Sequence, residues 1–190
     1  MDDVIGAPTR YKLDVVAYHR MAGAGIFGQD ERVELIEGDL IDMAPIGQGH
    51  AGNVTSLAEA FFIAAAGRAI VSVQCPIRLD HHSEPQPDLA ILRRRADFYA
   101  TGTRPGPADT LLVVEVADTS LHYDTTVKLP LYARSGIAEY WIIDLKQRVL
   151  LAHRSPEADR YTAITTHTAG EQLALTLAPD IVVSLNLMFG

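Results

Sequence analysis

Two acidic residues lie inside segments that are otherwise apolar. Asp88 lies in residues 86–92, and Glu115 lies in residues 111–117, which are apolar on both faces and therefore typical of a buried strand. A buried carboxylate is costly unless an opposite charge compensates it. We therefore expect each of these acids to face a cation, either a metal ion or a basic side chain.

A lysine that fits such a site follows on the next element. Residues 122–135 are predicted to form a helix on which Asp124, Lys128 and Tyr132 follow at intervals of four and share one face. Neighbouring strands lie ~4.8 Å apart, so two acids on them can bind one Mg²⁺ or Mn²⁺ that takes its remaining ligands from water and a phosphate. A nearby lysine can orient the attacking water or stabilise developing charge. Asp88, Glu115 and Lys128 are therefore the candidate catalytic residues for metal-assisted phosphodiester hydrolysis.

The same residues also fit a structural role. An ion pair between Glu115 and Lys128, or between Glu115 and an arginine, would hold the helix against the sheet, and such pairs also occur inside folds that have no active site there. The spacing of the residues does not separate the two interpretations.

The charge of the chain limits how a nucleic acid could bind. The net charge is −8 over 190 residues, whereas nucleic-acid binders usually present a basic surface. Arg93, Arg94 and Arg95 form the only run of three basic residues. They are either a solvated strand end or a phosphate contact close to Asp88. Without a local basic patch or a metal ion, a polyanionic substrate would not bind.

Length and composition predict a single cytoplasmic domain spanning residues 1–190. One cysteine, Cys75, excludes an internal disulfide framework and fits a reducing compartment. The acidic N-terminus lacks the layout of a signal peptide. The longest apolar run, residues 60–67, is too short to cross a bilayer. We therefore expect no membrane partner.

Apolar periodicity predicts the elements that position these residues. Helices are expected at residues 13–22, 50–67 and 122–135, and strands at 71–79, 86–92, 111–117, 137–144, 147–153, 160–164, 172–177 and 181–187, with a hairpin at 33–43 that turns at Gly38. Pro76 implies a bulge or a sheet edge, and Pro130 a kink or a restart of the last helix. Within the hairpin, alternation favours an exposed Glu34 unless the neighbouring motif recruits it.

Two other motifs are interpreted as loops. Residues 23–28 match the G-x-G-x-x-G pattern, but they follow a predicted helix and not a strand, so a nucleotide site is not expected there. His81 and His82 lie with Asp80 and Glu84 in a polar segment that has no third histidine at ligand spacing. We interpret it as a solvated loop.

The order of the motifs resembles the PD-(D/E)xK nuclease superfamily and, within it, a bacterial family of restriction-endonuclease-like proteins. The resemblance covers about residues 32–153. It rests on residues 34–38, His50 at the start of a helix, 87–89, 114–116, 124–132 and 139–144. It implies an α/β (α+β) fold in which a central mixed sheet is flanked by helices, with residues 160–187 as a sheet extension or a dimer face.

The resemblance also implies roles for individual residues. Asp88 and Glu115 would be metal ligands, together with the backbone carbonyl of Val116 or Ala117. The lysine that the superfamily pattern places at position 117 is alanine here, and its place would be taken by Lys128 on the following helix. Glu34 would be an additional acid near the metal, and Asp124 and Tyr132 would support the site. The implied partners are Mg²⁺ or Mn²⁺, DNA and a second copy of the chain.

Three functions fit these observations. The first is a magnesium-dependent DNA endonuclease. The second is a non-enzymatic interaction or regulatory module with an incomplete site, which the net charge favours. The third is a hydrolase of a small phosphoester, which needs no duplex-sized basic surface. Salt dependence separates the first from the third, because binding to a duplex releases many counterions.

Overall fold

A six-stranded mixed sheet forms the centre of the molecule. The computed structural model describes residues 9–28, 31–43 and 47–187. The strands lie in the order β3 (Ala69–Val73), β4 (Leu89–Arg93), β5 (Thr110–Ala117), β6 (Glu139–Asp144), β7 (Val149–Glu157) and β8 (Arg160–His167). Strands β5 and β6 are parallel, and the other neighbours are antiparallel. The expected central mixed sheet flanked by helices is confirmed.

The parallel pair determines where the helix that carries Lys128 lies. Parallel neighbours need a long crossover connection, in contrast to a hairpin turn. The crossover from β5 to β6 contains α3 (Leu121–Tyr123), a π-helical turn (Asp124–Lys128) and α4 (Leu129–Arg134). It returns across one face of the sheet, so its inward side chains meet those of β5.

Apolar side chains cover both faces of the sheet. On one face lie α2 (Gln48–Ala65) and a hairpin of β9 (Gln172–Leu175) and β10 (Ala178–Ser184), with the Phe61 ring 5.7 Å from the Trp141 ring. On the other face lie α4 and the hairpin of β1 (Arg32–Ile36) and β2 (Asp39–Met43). Because strand side chains alternate between faces, β4 and β5 contribute apolar residues to both layers.

The N-terminal helix and the glycine-rich turn follow the prediction. Helix α1 (Val15–Gly23) begins after Asp14, whose carboxylate accepts a hydrogen bond from Ala17 N at 2.7 Å. The helix ends at the first glycine of the G-x-G-x-x-G segment, which continues as a turn. The context of a dinucleotide site, a strand followed by the motif, is therefore missing.

The predicted strand at residues 71–79 is only partly correct. Strand β3 ends at Val73, and Gln74 takes a left-handed conformation with φ of 48°. The chain then continues without ladder pairing, although Ile77 and Leu79 are buried. Their alternation reflects packing of an irregular segment beneath the β1–β2 layer. Pro76, which was expected to mark a bulge or an edge within this strand, lies beyond its end, and β3 is the terminal strand of the sheet.

The C-terminal segment supplies both a sheet extension and a separate hairpin. Strand β8 is the last strand of the central sheet, whereas β9 and β10 pair only with each other. Leu175 and Val183 of this hairpin are buried against the layer that α2 forms. Among the helices of the described residues, none has both the length and the hydropathy needed to cross a bilayer.

Candidate functional site

Asp88 and Glu115 lie side by side on neighbouring strands. The antiparallel register pairs Leu89 with Val114, which places Asp88, one residue earlier, beside Glu115 on the face that α4 covers. The two residues are 6% and 4% exposed. Asp88 N lies 3.4 Å from Glu115 Oε2. The predicted juxtaposition of the two acids is therefore present.

Asp88 is held by three hydrogen-bond partners. Its Oδ2 accepts from Val116 N at 2.9 Å, and its Oδ1 lies 2.9 Å from His50 Nε2 and 3.2 Å from Gln74 Nε2. Burial opposes ionisation, but these hydrogen bonds outweigh it and lower the pKa of Asp88. The hydrogen bond to Asp88 raises the pKa of His50 against the effect of burial. Asp88 is therefore an ionised carboxylate at neutral pH.

Glu115 is held by the helix that crosses over the sheet. Its Oε1 accepts from Lys128 Nζ at 2.9 Å and from Tyr132 OH at 3.1 Å. Lys128 Nζ also donates to Glu34 Oε1 at 3.2 Å. Lys128 is only 1% exposed, so its charge is compensated by these carboxylates and not by water.

The site carries more negative than positive charge. Burial, with the carboxylates of Asp124, Asp88 and Glu34, raises the pKa of Glu115 well above its ordinary value, against the opposing effect of Lys128. Burial alone would lower the pKa of Lys128, but the surrounding carboxylates outweigh it and raise that pKa, so the side chain remains an ammonium ion. One buried ammonium group does not neutralise this cluster of acids.

A π-helical turn directs Asp124 and Lys128 toward the sheet. Pro130 has no N–H to donate to the carbonyl four residues earlier, so the regular helical ladder is interrupted directly before α4. Asp124 Oδ2 accepts from Ser120 Oγ at 2.7 Å, and burial raises the pKa of Asp124. Asp124, Lys128 and Tyr132 are all buried. The predicted shared face and the restart of the helix at Pro130 are confirmed.

The expectation that Glu34 is exposed is wrong. The residue is 1% exposed, and its Oε1 accepts from Gln86 N at 2.9 Å as well as from Lys128. Within the described residues, Glu34 Oε2 is buried and has no hydrogen-bond partner. The cause is tertiary: the β1–β2 hairpin covers the layer that contains Lys128, so both faces of β1 are buried.

Arg93, Arg94 and Arg95 lie away from the acids. They occupy the opposite end of β4 from Asp88, roughly 16 Å along the strand at ~3.3 Å per residue. Arg93 Nε donates to Ala108 O at 3.0 Å, Arg94 stacks on Phe98 at 4.2 Å, and Arg95 stacks on Tyr99 at 4.0 Å. The structure does not bring these arginines to the acidic site; they order the loop that follows β4.

A cleft of about 310 Å³ opens over the acids. Its lining includes His50, Asp88, Glu115, Asp124, Lys128 and Arg32. The sequence indicated His50 only as part of a motif, and Arg32 not at all. His50 reaches Asp88 because α2 begins at the same end of the sheet as the start of β4. Arg32 gave no signal in the sequence, since a single charged residue at a strand end is usually solvated.

The donor atoms suit a hard divalent cation with a small protein ligand set. Among the described residues, no group of three or more His, Cys, Asp and Glu side chains is arranged to hold a metal. Magnesium accepts one or two carboxylates and completes its shell with water and phosphate oxygens. Among the described residues, the long contact to Asp88 N is the one hydrogen bond of Glu115 Oε2, so this oxygen is available to a cation.

The backbone carbonyl of Val116 also fits this ligand set. In a strand, the N–H and the C=O of one residue face the same neighbour, and Val116 N–H faces Asp88. The alternative, Ala117 O, accepts a hydrogen bond from Leu145 N at 3.0 Å. Of the two carbonyls considered, Val116 therefore suits the site better.

A solved structure shares the fold of this chain. A crystal structure described as a putative nuclease belonging to DUF820 from Anabaena variabilis ATCC 29413 matches with a TM-score of 0.65 and 13% identity, over 82% of this chain and 89% of that chain. No curated protein matches the chain.

A family model described as "Uma2: Putative restriction endonuclease" matches residues 15–187. The chain belongs to this family, and the resemblance inferred from the motifs is confirmed.

Proposed function

We propose that this protein is a divalent-metal-dependent endonuclease that hydrolyses phosphodiester bonds of DNA. One observation carries the proposal: Asp88 and Glu115 lie side by side at the base of a cleft, and Lys128 Nζ lies 2.9 Å from Glu115 Oε1. Membership in a family described as putative restriction endonucleases supports the choice of reaction. Mg²⁺ is the proposed cofactor, with Mn²⁺ as the alternative.

Asp88, Glu115 and the carbonyl of Val116 would hold the cation. A bound divalent ion lowers the pKa of a coordinated water and offsets negative charge on the phosphate. His50 and Gln74 fix the Asp88 carboxylate from the side of β3 and α2. This positioning keeps both acids directed into the cleft without rearrangement.

Lys128 would supply the positive charge that complements the reacting phosphate. Its ammonium group is buried and fixed by Glu115 and Glu34, so it is oriented before the substrate arrives. Fixed charges in a site that excludes water stabilise developing charge more strongly than mobile ones. Tyr132 OH holds the same Glu115 oxygen that Lys128 contacts, and so fixes its position.

We further propose that the protein acts in the cytoplasm as a homodimer, because two cuts in duplex DNA suit two-fold symmetry. Sedimentation at several concentrations checks this proposal. A monomer at every concentration, including when bound to duplex, would contradict it.

Metal titration followed by a cleavage assay tests the proposed function. We expect Mn²⁺ to bind the wild type in isothermal titration and to support nicking of supercoiled plasmid. Asp88→Asn and Glu115→Gln should lose both, because each removes a ligand charge. Both variants should still fold. Glu115→Gln should be as stable as the wild type or steadier, since it relieves repulsion at a carboxyl group whose pKa is raised. Asp88→Asn should lose some stability, since hydrogen bonds in the folded protein stabilise the ionised Asp88.

Glu139→Gln is the matched control. Glu139 is also a buried acid, but it pairs with Arg154 at 2.7 Å and lies on β6. We expect it to bind Mn²⁺ normally while its stability falls. Unfolding of Asp88→Asn and Glu115→Gln, with no metal binding by the wild type, would show that the acids are structural.

A further inference from the structure

A buried carboxylate fixes two arginines beside the candidate active site. Glu84 is 1% exposed and accepts from Arg78 at 2.9 and 3.0 Å and from Arg104 at 2.9 Å, with His19 Nε2 also 2.9 Å away. The arginine side chains themselves are 36% and 41% exposed. A guanidinium group has five N–H donors, and these contacts with Glu84 use one or two of them.

This cluster carries surplus positive charge. Two guanidinium groups share a single carboxylate, so at least one positive charge is not neutralised within the cluster. The sequence interpretation of Glu84 as part of a solvated loop is therefore wrong, although His81 and His82 in the same loop are exposed. The residue lies beneath the loop because Glu84 N donates to Leu35 O at 2.7 Å and draws the side chain inward.

The arginines lie along a groove that continues from the acidic cleft. Arg32 and Gln86 line both the acidic cleft and a neighbouring cleft of about 440 Å³, which Arg104 also lines. Arg104 in turn lines a further cleft of about 700 Å³, which Arg78 lines as well. The clefts therefore form one path from the acids past Arg32 and Arg104 to Arg78.

Among the residues that the structure describes, acidic side chains contribute little along this path. Glu31 lines the middle cleft, and its carboxylate accepts a hydrogen bond from Gly28 N at 2.8 Å. Glu84 lies beneath the arginines and is compensated by them. The path is therefore a local basic track on a protein whose net charge is −8.

We propose that this groove binds the sugar-phosphate backbone of the DNA strand whose scissile phosphate lies at Asp88 and Glu115, with Arg32 and Arg104 as phosphate ligands. Arginine donates to phosphate through a planar fork, and a preformed pair of guanidinium groups loses little entropy on binding. The inference rests on the proposed nuclease function and names the surface that would hold its substrate.

Binding without cleavage tests the groove. A short fluorescein-labelled DNA duplex is titrated with protein in EDTA, and fluorescence anisotropy is measured at several salt concentrations. We expect Arg32→Gln and Arg104→Gln each to weaken binding several-fold at low salt. Each variant should also reduce the slope of log K against log salt concentration by about 0.9, the loss of about one phosphate contact.

Arg160→Gln is the control for a general charge effect. This substitution removes one positive charge from an exposed position on β8, where Arg160 lies 3.8 Å from Glu157. Arg94→Gln tests the basic run in the same way. Thermal unfolding checks that Arg104→Gln is folded, and Arg32→Gln tests the groove independently because Arg32 does not contact Glu84.

The outcomes separate this inference from the proposed function. Weaker binding and a smaller slope confined to Arg32→Gln and Arg104→Gln support the groove, even for a wild type that fails to cut. The groove would be overturned if Arg32→Gln and Arg104→Gln bound the duplex with wild-type affinity, or if Arg160→Gln lost as much affinity as they do. Plasmid cleavage would remain a separate test of the proposed function. A wild type that binds no duplex at low salt would also overturn it.

Discussion

Glu115 and Glu139 are both buried glutamates on adjacent strands, but their surroundings differ. Glu139 has both oxygens satisfied: Oε1 accepts from Arg154 and Trp141, and Oε2 accepts from Thr176 N at 2.7 Å. Glu115 Oε1 is bound by Lys128 and Tyr132, whereas Oε2 has, within the described part of the chain, a single 3.4 Å contact at the cleft. The hydrogen bonds of Glu139 are therefore complete within the protein, whereas Glu115 keeps one oxygen available for a cation.

Lys128 should be essential for both stability and activity. Removing one partner of a buried ion pair typically costs about 3–5 kcal/mol, because the remaining charge is uncompensated. We therefore expect Lys128→Met to lower the free energy of unfolding by about 3 kcal/mol, measured in urea, and to abolish plasmid nicking.

The double variant Lys128→Met with Glu115→Gln is the control, since it removes both charges of this pair and leaves only Glu34 without its cation. It should recover part of the lost stability but none of the activity. A single variant as stable as the wild type would contradict the buried ion pair.

His153 should make stability depend on pH. Its ring is buried between Tyr140 and Tyr161, at 5.9 and 6.0 Å, and burial lowers its pKa. In the unfolded chain the pKa is about 6.5, so below that pH the unfolded state binds a proton that the folded state does not. Stability should therefore fall as the pH decreases through about 6.5.

Differential scanning calorimetry of the wild type and His153→Phe over a pH series checks this prediction. Because the other titrating groups are common to both proteins, the difference between the two unfolding temperatures should change across that range. A difference that stays constant with pH would contradict a neutral, buried histidine.

At the scale of elements, the interrupted helix between β5 and β6 determines where Lys128 points. Residues 121–134 would be one regular helix if Pro130 could donate a hydrogen bond to the carbonyl of Thr126. The π-helical turn accommodates the missing donor and sets the rotation of Asp124 and Lys128 relative to Tyr132. The geometry of the site therefore depends on the backbone as well as on the side chains.

Pro130→Ala should separate stability from activity. Restoring the N–H allows a regular α-helical ladder, so stability should stay the same or rise. The same change would turn Lys128 away from Glu115 and lower the nicking rate by about tenfold or more, since misplacement by about 1 Å can cost ~100-fold.

Thr126→Ala on the same helix is the control for this prediction, because it changes an exposed side chain and leaves the backbone intact. Full activity in Pro130→Ala would show that the π-helical turn does not position the lysine.

Local patterns predicted much of this arrangement. The acids in apolar strands and the shared face of Asp124, Lys128 and Tyr132 follow from periods of 2 and 3.6 residues. The effect of Pro130 follows from the N–H that proline lacks. Alternation along β1 favoured an exposed Glu34, because it cannot reveal that a second layer covers the outer face of that strand; the resemblance alone placed Glu34 near the acids. Residues 74–79 alternate like a strand, although their backbone hydrogen bonds go to scattered partners and form no regular ladder.

At the scale of the whole molecule, the distribution of charge is what sequence could not show. Glu84 contacts His19, which lies 65 positions earlier in the chain, and Arg104, which lies in another loop. No local pattern links these residues, whereas Arg93–Arg95 are conspicuous in the sequence and lie at the far end of β4. The fold thus assembles a basic track from scattered arginines, and it assembles an acidic site from residues on or next to three strands and on a helix.

The most direct test of the metal-binding nuclease site is nicking of supercoiled plasmid by the wild type and by Glu115→Gln, each with Mg²⁺, with Mn²⁺ and with EDTA. We expect the wild type to produce open circles and then linear DNA only when a divalent cation is present. We expect no cleavage by Glu115→Gln, whose fold is retained. Intact plasmid with the wild type in both metals, or equal cleavage by Glu115→Gln, would contradict the assignment of Asp88 and Glu115 as a metal-binding nuclease site.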